Sequence, residues 1–188
     1  LVITEAEYEY DNLEPWIQWP SVHTGKTFEE HNVFRLGDFV NFSHQQFFEQ
    51  VENSGFSVGA ISPMNASNRL KNPAYFIPDP WTKAKVSGSF LINNLSNSIS
   101  KFVNSNASGR VKLSDFFWLL IGFVKFVRVK RWNHFFNLLR LRKNPGVKAA
   151  ILDMILLEVF ITLHLKNKPD YSHLFFNGGA HVQHHYLF

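Results

Sequence analysis

The segment from Ser43 to Pro63 constrains the fold most, because the hydrophobic period changes within it at a glycine. Ser43, followed three residues later by Gln46, has the spacing of a capping box ahead of a helix over Phe47 to Asn53, which Gly55 stops. Phe56 to Ser62 is then short, apolar and closed by Pro63, as a buried strand would be. A helix, a glycine and a buried strand in that order are what an α/β sheet is assembled from, so the expected fold class is α/β.

The rest of the chain can be arranged around that unit. Leu1 to Tyr10 reads as a strand or extended lead-in, and Leu13 to His23 as a helix that Pro20 should kink or end. Residues 65 to 90 look irregular, with Pro73, Pro78 and Pro80 among them. Ser87 to Asn106 has a polar helical pattern. A helix is expected from Ser114 to about Lys143, and another from about Pro145 to Lys166. His173 to Asn177 reads as a second strand running into Gly178-Gly179. The 188 residues are therefore expected to be one α/β domain segment in which residues 87–166 form a mainly helical insertion, either a cap or a crossover layer.

Composition excludes several classes. Hydrophobic residues make up 45% of the chain and charged residues 18%, which is a core-forming balance rather than a disordered one. With no cysteine, disulfide scaffolds, thiolate zinc sites and cysteine nucleophiles are excluded within these residues, so a bound metal must rest on His, Asp, Glu or Asn. The apolar stretches at Phe116 to Val124 and Val147 to Leu165 are too short or too interrupted for a membrane span. The acidic N-terminus has no basic n-region followed by an apolar run, which leaves a cytoplasmic chain as the expectation. Charge is divided: the first 60 residues carry ten acids and two bases, and the remainder carries seventeen bases and five acids.

Three groups of residues could carry chemistry. At the C-terminal end, a strand runs into a glycine turn followed by His181, His184 and His185. Asn177 and His181 lie four apart, as do His181 and His185, so a helix would put each pair on one face. Imidazole nitrogens and an amide oxygen suit zinc, manganese or iron; a histidine-rich helix start without metal fits the same spacing. A second group, Glu14 through Gly25 and then Glu29 to Val33, combines hydroxyls at Ser21 and Thr24 with imidazoles at His23 and His31. A hydroxyl nucleophile there would need a base or a metal to activate it. The third group is basic and aromatic: Lys125, Arg128, Lys130, Arg131, Arg140, Arg142 and Lys143 are interleaved with Phe126, Trp132, Phe135 and Phe136. It could meet nucleic acid or an anionic membrane surface, but its charges encircle the helix as on a solvated one, which ranks nucleic acid low. On the following helix Glu158 falls on a polar edge, while Asp153 and His164 fall on the apolar face and need partners there. Trp118, Phe123 and Phe160 are expected in the core.

Thr24-Gly25, five further residues and His31-Asn32-Val33 resemble the Thr-Gly-(five)-His-Gly-Ile/Val motif of the alkaline phosphatase superfamily, in its phosphodiesterase/nucleotide pyrophosphatase and sulfatase-like branches. Glu14-Pro15-Trp16 through Arg35-Leu36-Gly37-Asp38 is similar to hydrolases of the same group, and Asn177-(three)-His181 falls where they carry an Asp-(three)-His metal pair. The resemblance covers about residues 12 to 82 and 168 to 188. It implies part of an alkaline-phosphatase-like three-layer sandwich with an inserted helical cap, and a metal-dependent hydrolase of phosphate esters. Sulfate esters rank second, because their branch uses a cysteine-derived nucleophile. It further implies zinc or manganese at Asn177, His181 and His185, and a nucleophile turn near Glu14 and Thr24, where Thr24 and His31 mainly shape the fold.

Three departures accompany the likeness. Pro15 stands where phosphodiesterase members carry their nucleophilic threonine, Asn32 replaces the motif glycine, and Asn177 replaces a ligand aspartate. The family's first strand and later metal motifs have no counterpart, so the segment is expected to be the interior of a larger domain, incomplete or inactive alone, with uncovered sheet edges that favour self-association. The other function class consistent with the residues is a non-catalytic binding module whose basic helices, residues 112–143, contact an anionic partner.

Overall fold

The computed structural model describes residues 14–104 and 111–186, with the His184 side chain outside that description; the expected lead-in at Leu1 to Tyr10 lies outside the described residues. In chain order the helices are α1 (Pro15–Thr24), α2 (Phe28–His31), α3 (Phe47–Asn53), α4 (Phe90–Val103), α5 (Leu113–Phe126), α6 (Trp132–Arg140), α7 (Val147–Asn167) and α8 (Gly178–Tyr186). The strands are β1 (Val58–Ile61), β2 (Tyr75–Ile77) and β3 (Tyr171–Leu174).

Among the described residues the chain is mixed α/β, built on a three-stranded parallel sheet in the order β2-β1-β3. Gly59 pairs with Tyr75 on one side, and Ala60 pairs with His173 on the other. Because successive side chains point to opposite faces, the register divides the sheet's residues in two. Val58, Ala60 and Phe76 pack with Phe48 of α3, and Tyr171 joins them. Ile61, Tyr75 and Ile77 pack with Ile92, Leu95 and Ile99 of α4 and with Leu156 and Val159 of α7. Helices thus cover both faces, and β1 is buried throughout, as a central parallel strand should be. The α4 and α7 helices of the stretch 87–166 supply half of this core, and α5 and α6 stack outside them.

Several boundaries differ from those read in the sequence, each for a local reason. The α3 capping box is Gln46 with Glu49, whose carboxylate accepts the Gln46 N–H at 2.7 Å; the box is not at Ser43. The expected single helix from Ser114 to Lys143 is two, α5 and α6, separated where Val127 and Arg128 turn extended. The second strand is Tyr171–Leu174 rather than His173 to Asn177. Within the stretch read as irregular lies β2, only three residues long between Pro73 and Pro78. Trp118, Phe123 and Phe160 are half-buried, with Phe160 packed on the edge of the core.

The pairing of β1 with β2 depends on Gly59. A Cβ there would lie 2.4–2.8 Å from three atoms of the Tyr75 ring, which is itself buried. Gly59→Ala is therefore expected to cost about 1–3 kcal/mol through overpacking, seen as a lower urea midpoint. In a Tyr75→Leu background the same substitution should cost clearly less; equal costs in both backgrounds would show that the ring is not the obstacle.

Candidate active site at the carboxyl ends of the strands

In parallel α/β sheets ligands bind beyond the carboxyl ends of the strands, and here the chain leaves β1 under strain. Ser62 and Asn65 both have left-handed backbones, with φ of 57° and 48°. Such a conformation costs a non-glycine residue about 1–2 kcal/mol and persists only where the surroundings fix it. Ser62 is fixed by its N–H, which donates to the Ile77 carbonyl at 2.7 Å. Asn65 is fixed from all sides. Its Oδ1 accepts the N–H groups of Gly37 and Phe39, and its Nδ2 donates to the carbonyls of Trp16 and Arg35.

The Trp16 bond explains how α1 tolerates an internal proline. Pro20 has no N–H, so the carbonyl four residues earlier, that of Trp16, loses its helical donor. Asn65 supplies the missing donor at 2.7 Å, and α1 continues to Thr24 instead of ending at Pro20. Beneath Asn65, the buried Asp79 accepts the N–H groups of Asn65, Trp81 and Thr82. Burial pushes the Asp79 carboxyl above its ordinary range, and those donors pull it back part of the way.

The hydroxyls and imidazoles on α1 and α2 are placed for packing. Ser21 Oγ lies 2.9 Å from His31 Nε2, which resembles a nucleophile with its base. The tautomer argues otherwise. His31 Nδ1 accepts the Val33 N–H at 3.0 Å, so in the neutral ring the proton must sit on Nε2, which then donates to Ser21 instead of taking its proton. Burial also lowers the His31 pKa, with His44 acting in the same direction. Thr24 Oγ1 donates to the Pro20 carbonyl at 2.7 Å and accepts from Lys26 N, which closes the end of α1. Glu14 is the N-cap of α1, and its side chain makes no capping bond. Gly25 and Asn32 both adopt left-handed conformations, at φ of 68° and 54°, so asparagine occupies a position whose backbone favours glycine.

At the exit from β3 a different set converges. Asp153 of α7 accepts the N–H of Asn177 at 3.1 Å and that of Gly178 at 2.6 Å, so a carboxylate caps the N-terminus of α8. Gly178 permits this approach, since a Cβ there would lie 2.7 Å from Asp153 Oδ2. Burial raises the Asp153 pKa; the two N–H donors and the nearby charge of His181 oppose it. His181 and His185 are exposed on successive turns of α8. Asp153 borders an apolar cleft that Met154, Leu157, Phe176 and Val182 also line.

Asp153, Asn177 and His181 therefore lie together, and among the described residues no hydrogen bond or ion pair links them to Glu14 or Thr24. No group of three or more His, Asp or Glu suited to a metal occurs among the described residues. The donors present, one carboxylate, one imidazole and an amide, fall short of the three ionisable or imidazole ligands usual in a catalytic zinc site.

Sequence reasoning did not find Asn65, Ser62 or Asp79. The available signal was Asn65 and Asp79 lying just after strands on either side of a proline-rich turn, and it is weak while β2 goes unrecognised. Glu158 also stands apart from its expected place. It is buried, not on a solvated edge, and accepts from Arg128 through the backbone N–H and two guanidinium nitrogens. That contact holds the Glu158 carboxyl below its usual range. His164, expected to need a partner on the apolar face, finds one in Ser172 Oγ at 2.9 Å.

No protein-family model matches this chain, and neither a curated protein nor a solved structure does.

Proposed function

We propose that this chain is part of a metal-dependent hydrolase of phosphate esters, of the alkaline phosphatase kind suggested by its Thr24-Gly25 to His31-Asn32-Val33 motif. The observation that carries the reading is the gathering of Asp153, Asn177 and His181 at the carboxyl end of β3, where α/β enzymes bind ligands. The left-handed backbone of Asn32, at the position of the motif glycine, gives further support. In this reading His181 and His185 with the Asn177 amide oxygen would take up zinc or manganese only together with a further ligand from outside the described residues, and Asp153 would contribute the negative charge that Asn177 lacks in place of an aspartate. A bound metal would supply Lewis-acid polarisation of the phosphoryl oxygen. The chain's own residues hold α8 against α7 and fix the turn at which the ester would lie. Phosphate esters are preferred to sulfate esters because no cysteine is present to become the sulfatase nucleophile.

Metal titration followed by calorimetry tests this reading. Wild-type protein should take up zinc or manganese, and His181→Ala with His185→Ala should reduce affinity at least 100-fold. Asp153→Asn should weaken binding about 10- to 100-fold, as expected for a supporting carboxylate. Wild-type protein that binds neither ion, or binding unchanged in the double variant, would defeat the proposal.

A further inference from the structure

The α5 helix is apolar on two opposite sides. Its inner side is closed against α4, so tightly at Gly122 that a Cβ would meet the Leu95 side chain at 2.6 Å. Its outer side presents Leu113, Phe117, Leu120 and Val124, spaced four, three and four residues apart and therefore in one stripe. These four are 86%, 56%, 62% and 60% exposed. Isolated apolar side chains on a surface are ordinary, but a continuous stripe marks a face that meets something.

The charge of the same segment, residues 112–143, indicates what the stripe meets. Residues 112–143 contain one acid, Asp115, and its carboxylate is turned inward to Lys101 and the Lys112 N–H. Arg128 is neutralised by the buried Glu158, and Arg131 lies 3.9 Å from the same carboxylate. Lys125, Lys130, Arg140, Arg142 and Lys143 are exposed and meet no carboxylate among the described residues. Lys125 flanks the stripe beside Leu120 and Val124, and the other unpaired cations follow on α6 and the turns around it, so this helical unit joins an apolar stripe to unpaired positive charge and complements a surface that is apolar beneath and anionic on top.

We propose that α5 and α6 dock this protein on an anionic lipid surface. The α5 helix lies in the plane of the membrane, with Leu113, Phe117, Leu120 and Val124 at the boundary of headgroups and acyl chains. Its 14 residues span about 21 Å, short of the roughly 30 Å hydrocarbon core, and no helix among the described residues is long and apolar enough to cross a membrane. A two-fold pair of copies through this face would bring two net-positive helical units together, each with Lys125 beside the stripe, which disfavours self-association as its use. Nucleic acid would leave the apolar stripe uncovered. The inference rests on α5 and α6 alone and is independent of the metal reading.

The test is co-sedimentation of the whole protein with phosphatidylcholine vesicles, with and without phosphatidylserine, at low and raised salt. Binding should require phosphatidylserine and weaken with salt. The Phe117→Asp, Leu120→Asp double variant should lose binding, with its circular dichroism unchanged because both positions are exposed. Arg142→Ala with Lys143→Ala should weaken binding about 25-fold, at about fivefold per cation. Equal binding to both vesicle types, no binding to either, or full binding by the double aspartate variant would overturn the proposal. So would a concentration-dependent dimer in light scattering that the aspartate variant abolishes while wild type ignores vesicles, since the stripe would then be a contact between copies.

Discussion

Acidification from about pH 6.5 to about pH 4 is expected to weaken the α1/α3 face of the sheet through the buried imidazole of His23 and the half-buried one of His173. His23 is enclosed by Trp19, Phe47, Phe48 and His173. Its Nε2–H donates to the Met64 carbonyl at 2.9 Å, and its Nδ1 has no hydrogen-bond partner among the described residues. Burial lowers its pKa from 6.5 to about 4, against the opposing effect of the Met64 carbonyl, and His173 adds to the lowering. Burial likewise lowers His173 from 6.5 to about 4. Both groups are lowered, so the unfolded chain takes up protons near pH 6.5 while the native state does not until near pH 4. Their contribution is complete above the unfolded value and is lost as the pH falls. The slope should be about 1.4 kcal/mol per pH unit for each imidazole. Asp79 and Asp153, raised by burial, act in the opposite direction at the acid end. The wild type must therefore be compared with His173→Phe in urea midpoints across that range. The variant should lose the part of the slope that His173 carries while His23 and His31, which is also lowered, keep theirs; parallel curves would show that His173 does not titrate with folding.

Replacing Asn65 by alanine should be among the most damaging single changes outside the apolar core. The substitution leaves a β-carbon at φ 48° without the contacts that hold it there. It removes the donor for the Trp16 carbonyl that Pro20 had freed, and it deprives Gly37 N and Phe39 N of their acceptor. At about 1–3 kcal/mol for each buried group left unpaired, with partial rescue by water, a loss on the order of 3–5 kcal/mol is expected. Asn65→Gly should be milder by roughly 1 kcal/mol, because it relieves the left-handed strain but restores none of the bonds. Hydrogen exchange gives a local readout: the Gly37 and Phe39 amides should lose protection in both variants. If Asn65→Ala falls within about 0.5 kcal/mol of wild type, the range of an ordinary surface change, Asn65 is not the anchor of this turn.

The elements legible in the sequence are those whose signals are local. Gly55 after α3, the buried run at Val58–Ile61 and the long apolar pattern of α7 each announce themselves within about ten residues. What could not be read depends on partners far along the chain. The β2 strand is three residues between prolines and becomes a strand only because β1 lies beside it. Glu158 sits on the edge that periodicity assigns to solvent, yet Arg128, thirty residues earlier, folds over it. Pro20 looks like a helix stop until Asn65, forty-nine residues from Trp16, replaces the missing donor. At the candidate site, the spacing of Asn177, His181 and His185 was visible, whereas Asp153 entered through tertiary packing of α7 on α8. Helix periodicity places Asp153 on an apolar face but cannot say what it meets there.

The sheet order has a consequence for synthesis. The central strand β1 takes β2 from nearby sequence, but its other neighbour is β3, and Asp170 at the start of β3 grips Ser57 across 113 residues. At roughly 5–20 residues per second, a ribosome needs roughly 6–23 seconds to travel from one to the other. Through that interval one flank of β1 emerges without its partner while the intervening helices are still being made. Closure of the sheet is thus a late, long-range event, and a nascent chain must keep Val58–Ile61 from pairing elsewhere until Tyr171–Leu174 arrives.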